Sequence, residues 1–286
     1  MKLKKNIIAV LFVLFVLSLV FFGKKYGMPR QEEKIDTHKV QKNERIYAGI
    51  TQEIQKDVFD AGIIGPDFRV LVRTPEEQAE NIYTFLQGPK SFEEMRPWSG
   101  EWCQKIVKWH SFGAFGCGHC CMANIYSSLS PYECSPFDMF QYATQVTDYY
   151  PSKESGAIGW RDMRTTLRAA GLSCDLHRKP ATYEEFQEQM GQTKSAIVLV
   201  CSGNDDTFWK DTGGHYVNIW LYQKDTDMVF LAEPGDPDNN RTWIPLRYVY
   251  DALKTVSQYQ YLSVAAYAEE NNPWKWDGIQ DVWNRE

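Results

Sequence analysis

The sequence predicts an α+β fold, a helical half followed by an antiparallel sheet half, behind an N-terminal membrane anchor. Three observations lead there. From Cys103 onward the capped, apolar-periodic segments come first and the β-branched or alternating segments come last. Two of the late segments are joined by the turn QKDTD at 223–227, which makes them a hairpin. Residues 1–25 are a different material, an apolar run bounded by lysines.

Lys2, Lys4 and Lys5 precede the unbroken run Ile7 to Phe22, and Gly23, Lys24 and Lys25 close it. Val20, Phe21 and Phe22 are bulky for a signal-peptidase cut and only Gly23 is small, so the run is expected to stay as a single-pass anchor, the alternative being a cleaved signal and a secreted protein. The lysines on its N-terminal side keep that end cytoplasmic and the rest outside. From Tyr26 to Arg45 the chain is polar, charged and aperiodic, which reads as a stalk.

Residues 46–100 form an accessory segment on a main domain spanning 101–286. Phe68 to Val72 reads as a strand, and Thr74, Pro75 and Glu77 form a capping box for a helix expected to stop at Gly88 and Pro89. Its stripe of Ala79, Ile82, Tyr83, Phe85 and Leu86 has to dock on something. In the main domain, helices are predicted over Gly118–Leu129, from Ser135 to before Pro151, over Gly159–Ala170 with Gly171 as stop, and over Thr182–Met190. Strands are predicted over Ala196–Ser202, His215–Tyr222, Met228–Glu233 and Tyr259–Tyr267.

Among 286 residues, 43% hydrophobic and 24% charged is globular composition, enough for one sizeable core and an appendage. The net charge of -6, with Lys and Arg scattered among acids, leaves no basic stripe and argues against nucleic acid. Seven cysteines are an odd set, so in an exported chain one thiol stays unpaired, as a reactive group or in an intermolecular bridge.

The chemistry concentrates at Phe115 to Cys121, FGCGHCC, running into MANIYSSL. Cys117 sits between two glycines at a helix start, where open backbone N–H groups and the macrodipole favour thiolate and oxyanion. A cysteine nucleophile needs a base, and the base an acceptor on its far side. His38 lies in the stalk, His110 and His119 flank the loop, and His177 sits in a polar turn; His215 alone heads a strand, after Thr212, Gly213 and Gly214. The following hairpin returns with Glu233, Pro234, Gly235 and Asp236 near the level of His215.

GCG leading into an apolar helix, GH leading into a strand, and an acid before proline together resemble the papain-like cysteine peptidases related to bacteriocin double-glycine leader peptidases, over about Cys103 to Tyr267. The resemblance implies a papain-like fold and thiol-dependent hydrolysis of peptide or related amide bonds, with no cofactor. It makes Cys117 the nucleophile, His215 the base and Glu233 the third member, with Asp236 as rival. It also implies an oxyanion glutamine, for which Gln104, thirteen before Cys117, is the near candidate because Ser111 stands at the family's position six before. No GxxxxGKS signature is present, so a transporter-fused form is not expected.

Other readings compete. CGHC at 117–120 is also the tetrapeptide of disulfide isomerases, but Gly116 replaces the usual aromatic and no strong strand precedes it. Cys117 and Cys120 with Cys174 and His177 have zinc-like local spacing, but 53 residues separate the pairs. A papain-like scaffold that only binds a partner is a third reading. Trp98, Trp102, Trp109, Trp160, Trp209 and Trp220 read as core before they read as a carbohydrate platform.

Overall fold

The computed structural model describes residues 73–151, 156–202 and 208–285. The anchor, the stalk and the strand over Phe68–Val72 lie outside the described residues. Among the described residues no helix is long and apolar enough to cross a membrane.

Thr74 caps α1 (Pro75–Ala79) in a reciprocal box with Glu77. The helix ends at Ala79 instead of running to Gly88. The physical reason is tertiary hydrogen bonding: Arg241 takes the Ala79 and Ile82 carbonyls at 2.8 Å each, Asn240 takes the Thr84 carbonyl, and Asn124 accepts from the Phe85 amide. A helix would need those groups for itself. The apolar stripe is buried all the same, as an extended strap rather than a helix face.

The short α2 (Pro89–Glu93), β1 (Ser99–Gly100), a 3-10 turn over Glu101–Gln104, and the hairpin of β2 (Ile106–Val107) with β3 (His110–Ser111) follow. Next come α3 (Phe112–Phe115), α4 (Cys117–Leu129), α5 (Pro136–Val146) with its Ser135–Asp138 capping box, and α6 (Trp160–Ala169). Gly171, at φ 84°, turns the chain out of α6 as anticipated, because only glycine takes that conformation without strain.

The remaining elements are β4 (Leu172–His177), α7 (Tyr183–Gly191), β5 (Ser195–Val200), β6 (His215–Gln223), β7 (Met228–Ala232), β8 (Thr242–Pro245), α8 (Leu246–Ala252), β9 (Tyr261–Tyr267) and β10 (Trp283–Asn284). β4, β8 and α8 were not anticipated, and His177 closes a strand instead of sitting in a turn. The main sheet is antiparallel throughout, in the order β4-β9-β5-β6-β7-β8. The fold is therefore α+β, helices mostly first and strands mostly last.

One face of the sheet, with Ile197, Tyr216, Trp220 and Phe230, packs on α4 and its helical neighbours; the other, with Val198, Val217, Ile219 and Leu231, packs on α7 and α8. The boundary expected at residue 100 is no break in the core. Tyr83, Phe85 and Leu86 join the same buried cluster as Trp102, Phe112 and α4. All seven cysteines are free thiols, Cys201 half-buried and the others buried.

Candidate active site

Cys117 opens α4, and its placement depends on close approach of helix to sheet. A Cβ on Gly118 would stand 2.6 Å from Ile158 and 3.4 Å from Tyr216, so glycine there lets the helix start lie against β6. The first backbone bond at this end runs from the Cys120 N–H to the Gly116 carbonyl. The Cys117 amide lies ahead of it, and the Gly113 carbonyl, its acceptor in a continuous helix, accepts from Gln87 Nε2 at 2.9 Å. A backbone N–H at a helix start is the kind of donor that suits a developing oxyanion.

His215 is the first residue of β6, and β7 returns antiparallel beside it with Ala232 opposite Asn218. Glu233 follows directly. Its Oε1 bonds His215 Nε2, and the same oxygen accepts from the Gly235 N–H at 3.0 Å. Its Oε2 accepts from Trp209 Nε1 at 2.7 Å. The carboxylate is 2% exposed and has only donors around it.

Cys117 is the second group that acts on the His215 imidazole. With Nε2 given to the carboxylate, Nδ1 is the nitrogen left for the thiol. Burial pulls the His215 pKa down, but the charge of Glu233 and the hydrogen bonds from Cys117 and Glu233 outweigh it, and the pKa rises to about 10. The imidazole is thus a cation at neutral pH. Since this folded value lies above the unfolded one, the resulting stabilisation is complete below about pH 6.5 and is lost as pH rises toward about 10.

Asp236 does not reach the histidine. Its carboxylate accepts from the Asp238 amide and Asn239 Nδ2, capping its own turn. Gln104 is exposed on the 3-10 turn and makes no hydrogen bond to Cys117 or His215. The sequence reading missed Trp209, Asn240 and Gln87. Asn240 is the group with a sequence signal, lying in the Asp-Pro-Asp-Asn-Asn turn just after the acid; the other two carry none.

Cys120 and Cys121 point into the core at 0% exposure, and burial, followed by neighbouring thiols, holds both pKa values well above the ordinary thiol range. Cys174 and His177 lie on β4, where the His177 ring stacks on Tyr261 at 4.7 Å. Among the described residues no three His, Cys, Asp or Glu side chains converge as metal ligands.

His119 has a different character. It is fully buried among Phe112, Phe115, Phe140 and Tyr149, and neither ring nitrogen has a well-formed hydrogen bond. Burial drives its pKa down to about 3 against a smaller opposing pull from the Phe115 backbone. Because the folded value lies below the unfolded one, stability present above about pH 6.5 is lost as pH falls toward 3. His119→Phe is expected to raise unfolding free energy by about 1–3 kcal/mol at pH 5, by removing unpaired polar atoms from an aromatic cage. Denaturant melts at pH 4 and pH 7 check this; an unchanged acid limb in the variant would assign the loss to another group.

No family model matches this sequence, and no curated protein does. Among solved structures, the fold is similar to the peptidase domain of Streptococcus ComA, a bifunctional ABC transporter involved in a quorum-sensing pathway. Identity is 14%, the match covers 57% of this chain and 95% of that domain, and the TM-score is 0.39. This is the kind of domain to which the sequence resemblance points, but a likeness of that size says nothing about activity, which has to come from the site.

Proposed function

We propose that this protein hydrolyses peptide or related amide bonds through a thioester on Cys117, with His215 as acid and base and Glu233 as the third member. The observation that carries this reading is a single imidazole that bonds a buried carboxylate surrounded by donors and is raised in pKa by Glu233 and by the thiol of Cys117, which opens a helix. The Cys117 sulfur attacks the carbonyl carbon, and the oxygen takes up negative charge beside the Cys117 N–H. The C–N bond breaks as the His215 proton passes to the leaving nitrogen. Water, deprotonated by His215, then cleaves the thioester to a carboxylic acid and the free thiol. Glu233 stabilises the imidazolium at each stage.

We further propose that the enzyme is tethered to a membrane with this domain on the outer side, on the strength of the lysine-bounded run Ile7–Phe22. A CGHC dithiol activity is disfavoured by the complete burial of Cys120 and its raised pKa. Iodoacetamide labelling with peptide mapping tests the two readings against each other. Labelling is expected at Cys117, with a rate indifferent to Cys120→Ala, and Cys117→Ala should abolish hydrolysis of a mixed peptide library. Labelling that collapses in Cys120→Ala would replace the hydrolase with a dithiol enzyme.

A further inference from the structure

The residues Glu80–Gln87, between α1 and α2, reach every element that carries a member of the triad, directly or through one side chain. The Gln87 amide donates to the Pro234 carbonyl at 2.9 Å, one residue after the acid, while its side chain takes the Gly113 carbonyl in the nucleophile loop. Asn240 accepts from the Glu233 amide at 3.0 Å and donates to the Thr84 carbonyl at 2.8 Å. The Phe85 amide donates to Asn124 Oδ1 on α4 at 2.7 Å, and Asn124 Nδ2 donates to Asn218 Oδ1 on β6 at 3.0 Å. The helix of Cys117, the strand of His215 and the turn of Glu233 are registered against one piece of chain.

These bonds are separable from those that merely hold the strap down. Docking is the work of buried Tyr83, Phe85 and Leu86 and of Arg241, which bonds Ala79, Ile82 and Thr84 and lies over the Trp98 and Phe230 rings at 5.0 and 5.4 Å. Gln87, by contrast, is half-buried and acts on one carbonyl. In a continuous helix the Gly113 carbonyl would accept from the Cys117 amide four residues on. Gln87 occupies that carbonyl, and the helix breaks between α3 and α4 just ahead of the Cys117 amide. The fit is close, since a Cβ on Gly113 would lie 2.8 Å from Pro89 and 3.3 Å from the Gln87 carbonyl.

We propose that Gln87 and Asn240 are positioning residues: Gln87 keeps the Cys117 amide available to an oxyanion, and Asn240 sets the Glu233 carboxylate against His215. This rests on the Cys117–His215–Glu233 reading. The two roles predict different defects. Gln87→Met removes the donor at similar volume, so acylation, which passes through an oxyanion, should slow while alkylation, which does not, should stay near native. Asn240→Ala loosens the acid, so the limb of Cys117 alkylation that reports His215 near pH 10 should move down by about 1 pH unit or more.

The experiment runs on the full chain, with the burst of p-nitrophenol from p-nitrophenyl acetate for acylation and iodoacetamide for alkylation. Asn272→Ala, which loses bonds to Tyr126 on α4 and Tyr267 at the end of β9, serves as the control for lowered stability. Expected are a burst slowed about tenfold or more in Gln87→Met at native alkylation rate, a shifted limb in Asn240→Ala, and neither change in Asn272→Ala. Lowered melting temperatures with native burst and limb would reduce both residues to packing and overturn the proposal. If Asn240→Ala does not fold, Gln87→Met decides alone, because its backbone bond to Pro234 survives. Native labelling that ignores His215→Ala would sink the triad and the strap's role together, an outcome distinct from failure of the two variants.

Discussion

Replacing His215 with alanine is expected to leave a folded protein whose Cys117 has lost its reactivity, with hydrolysis down about 10²–10⁴-fold. His215 is only partly buried and heads its strand, so the deletion removes few packing contacts. What it removes is the cation beside the thiol and the proton for the leaving nitrogen. The native rate should fall as pH rises through about 10, where the imidazolium is lost, and that limb should vanish in His215→Ala. A pH series of iodoacetamide labelling on both proteins, resolved by peptide, measures it. Identical profiles would mean that His215 does not govern the thiol.

Glu233→Gln should cost nearly as much, by a different route. Every neighbour of the carboxylate is a donor: His215 Nε2 and the Gly235 amide on one oxygen, Trp209 Nε1 on the other. An amide has one accepting atom, so whichever way Gln is turned its NH₂ faces an N–H. The expected losses are about 1–3 kcal/mol of unfolding free energy from the unpaired buried donors, and a His215 pKa that falls from about 10 toward its ordinary value. NMR titration of His215 reads the second directly. Asp236→Asn, which alters only a turn cap, should leave that titration where it is. A shift in Asp236→Asn and none in Glu233→Gln would exchange their roles.

The sequence was informative where local rules govern. The capping boxes at Thr74 and Ser135, the Thr182 cap, the Gly171 stop and the turn at 223–227 all stand where the residue types demand them. The nearness of His215 to the acid-bearing turn follows from antiparallel return after that hairpin, a relation of register that period-2 alternation makes readable. The choice between Glu233 and Asp236 was not legible, because it depends on Trp209 donating to the Glu233 carboxylate and on Asn240 accepting from the Glu233 amide. The extended course of Glu80–Gly88 was hidden for a like reason. Its apolar spacing is helical, and the half-buried Arg241 and Asn240 and the buried Asn124 that compete for its backbone are spread over more than a hundred residues. Gln104 was sought by distance along the chain, a measure to which the spatial position of Gln87 is indifferent.

The place of β9 in the sheet sets the order in which the molecule can come into being. Tyr261–Tyr267 lies between β4 and β5, bonded to both, so those two strands share no neighbour until nearly the whole chain has been synthesised. Before that the nascent sheet has raw edges, and a closure so remote in sequence is slow to find. Insertion of β9 closes that gap, pairing with β4 on one side, where Val264 stands opposite Cys174, and with β5 on the other, so the sheet that carries His215 becomes continuous only when the last long strand is in place.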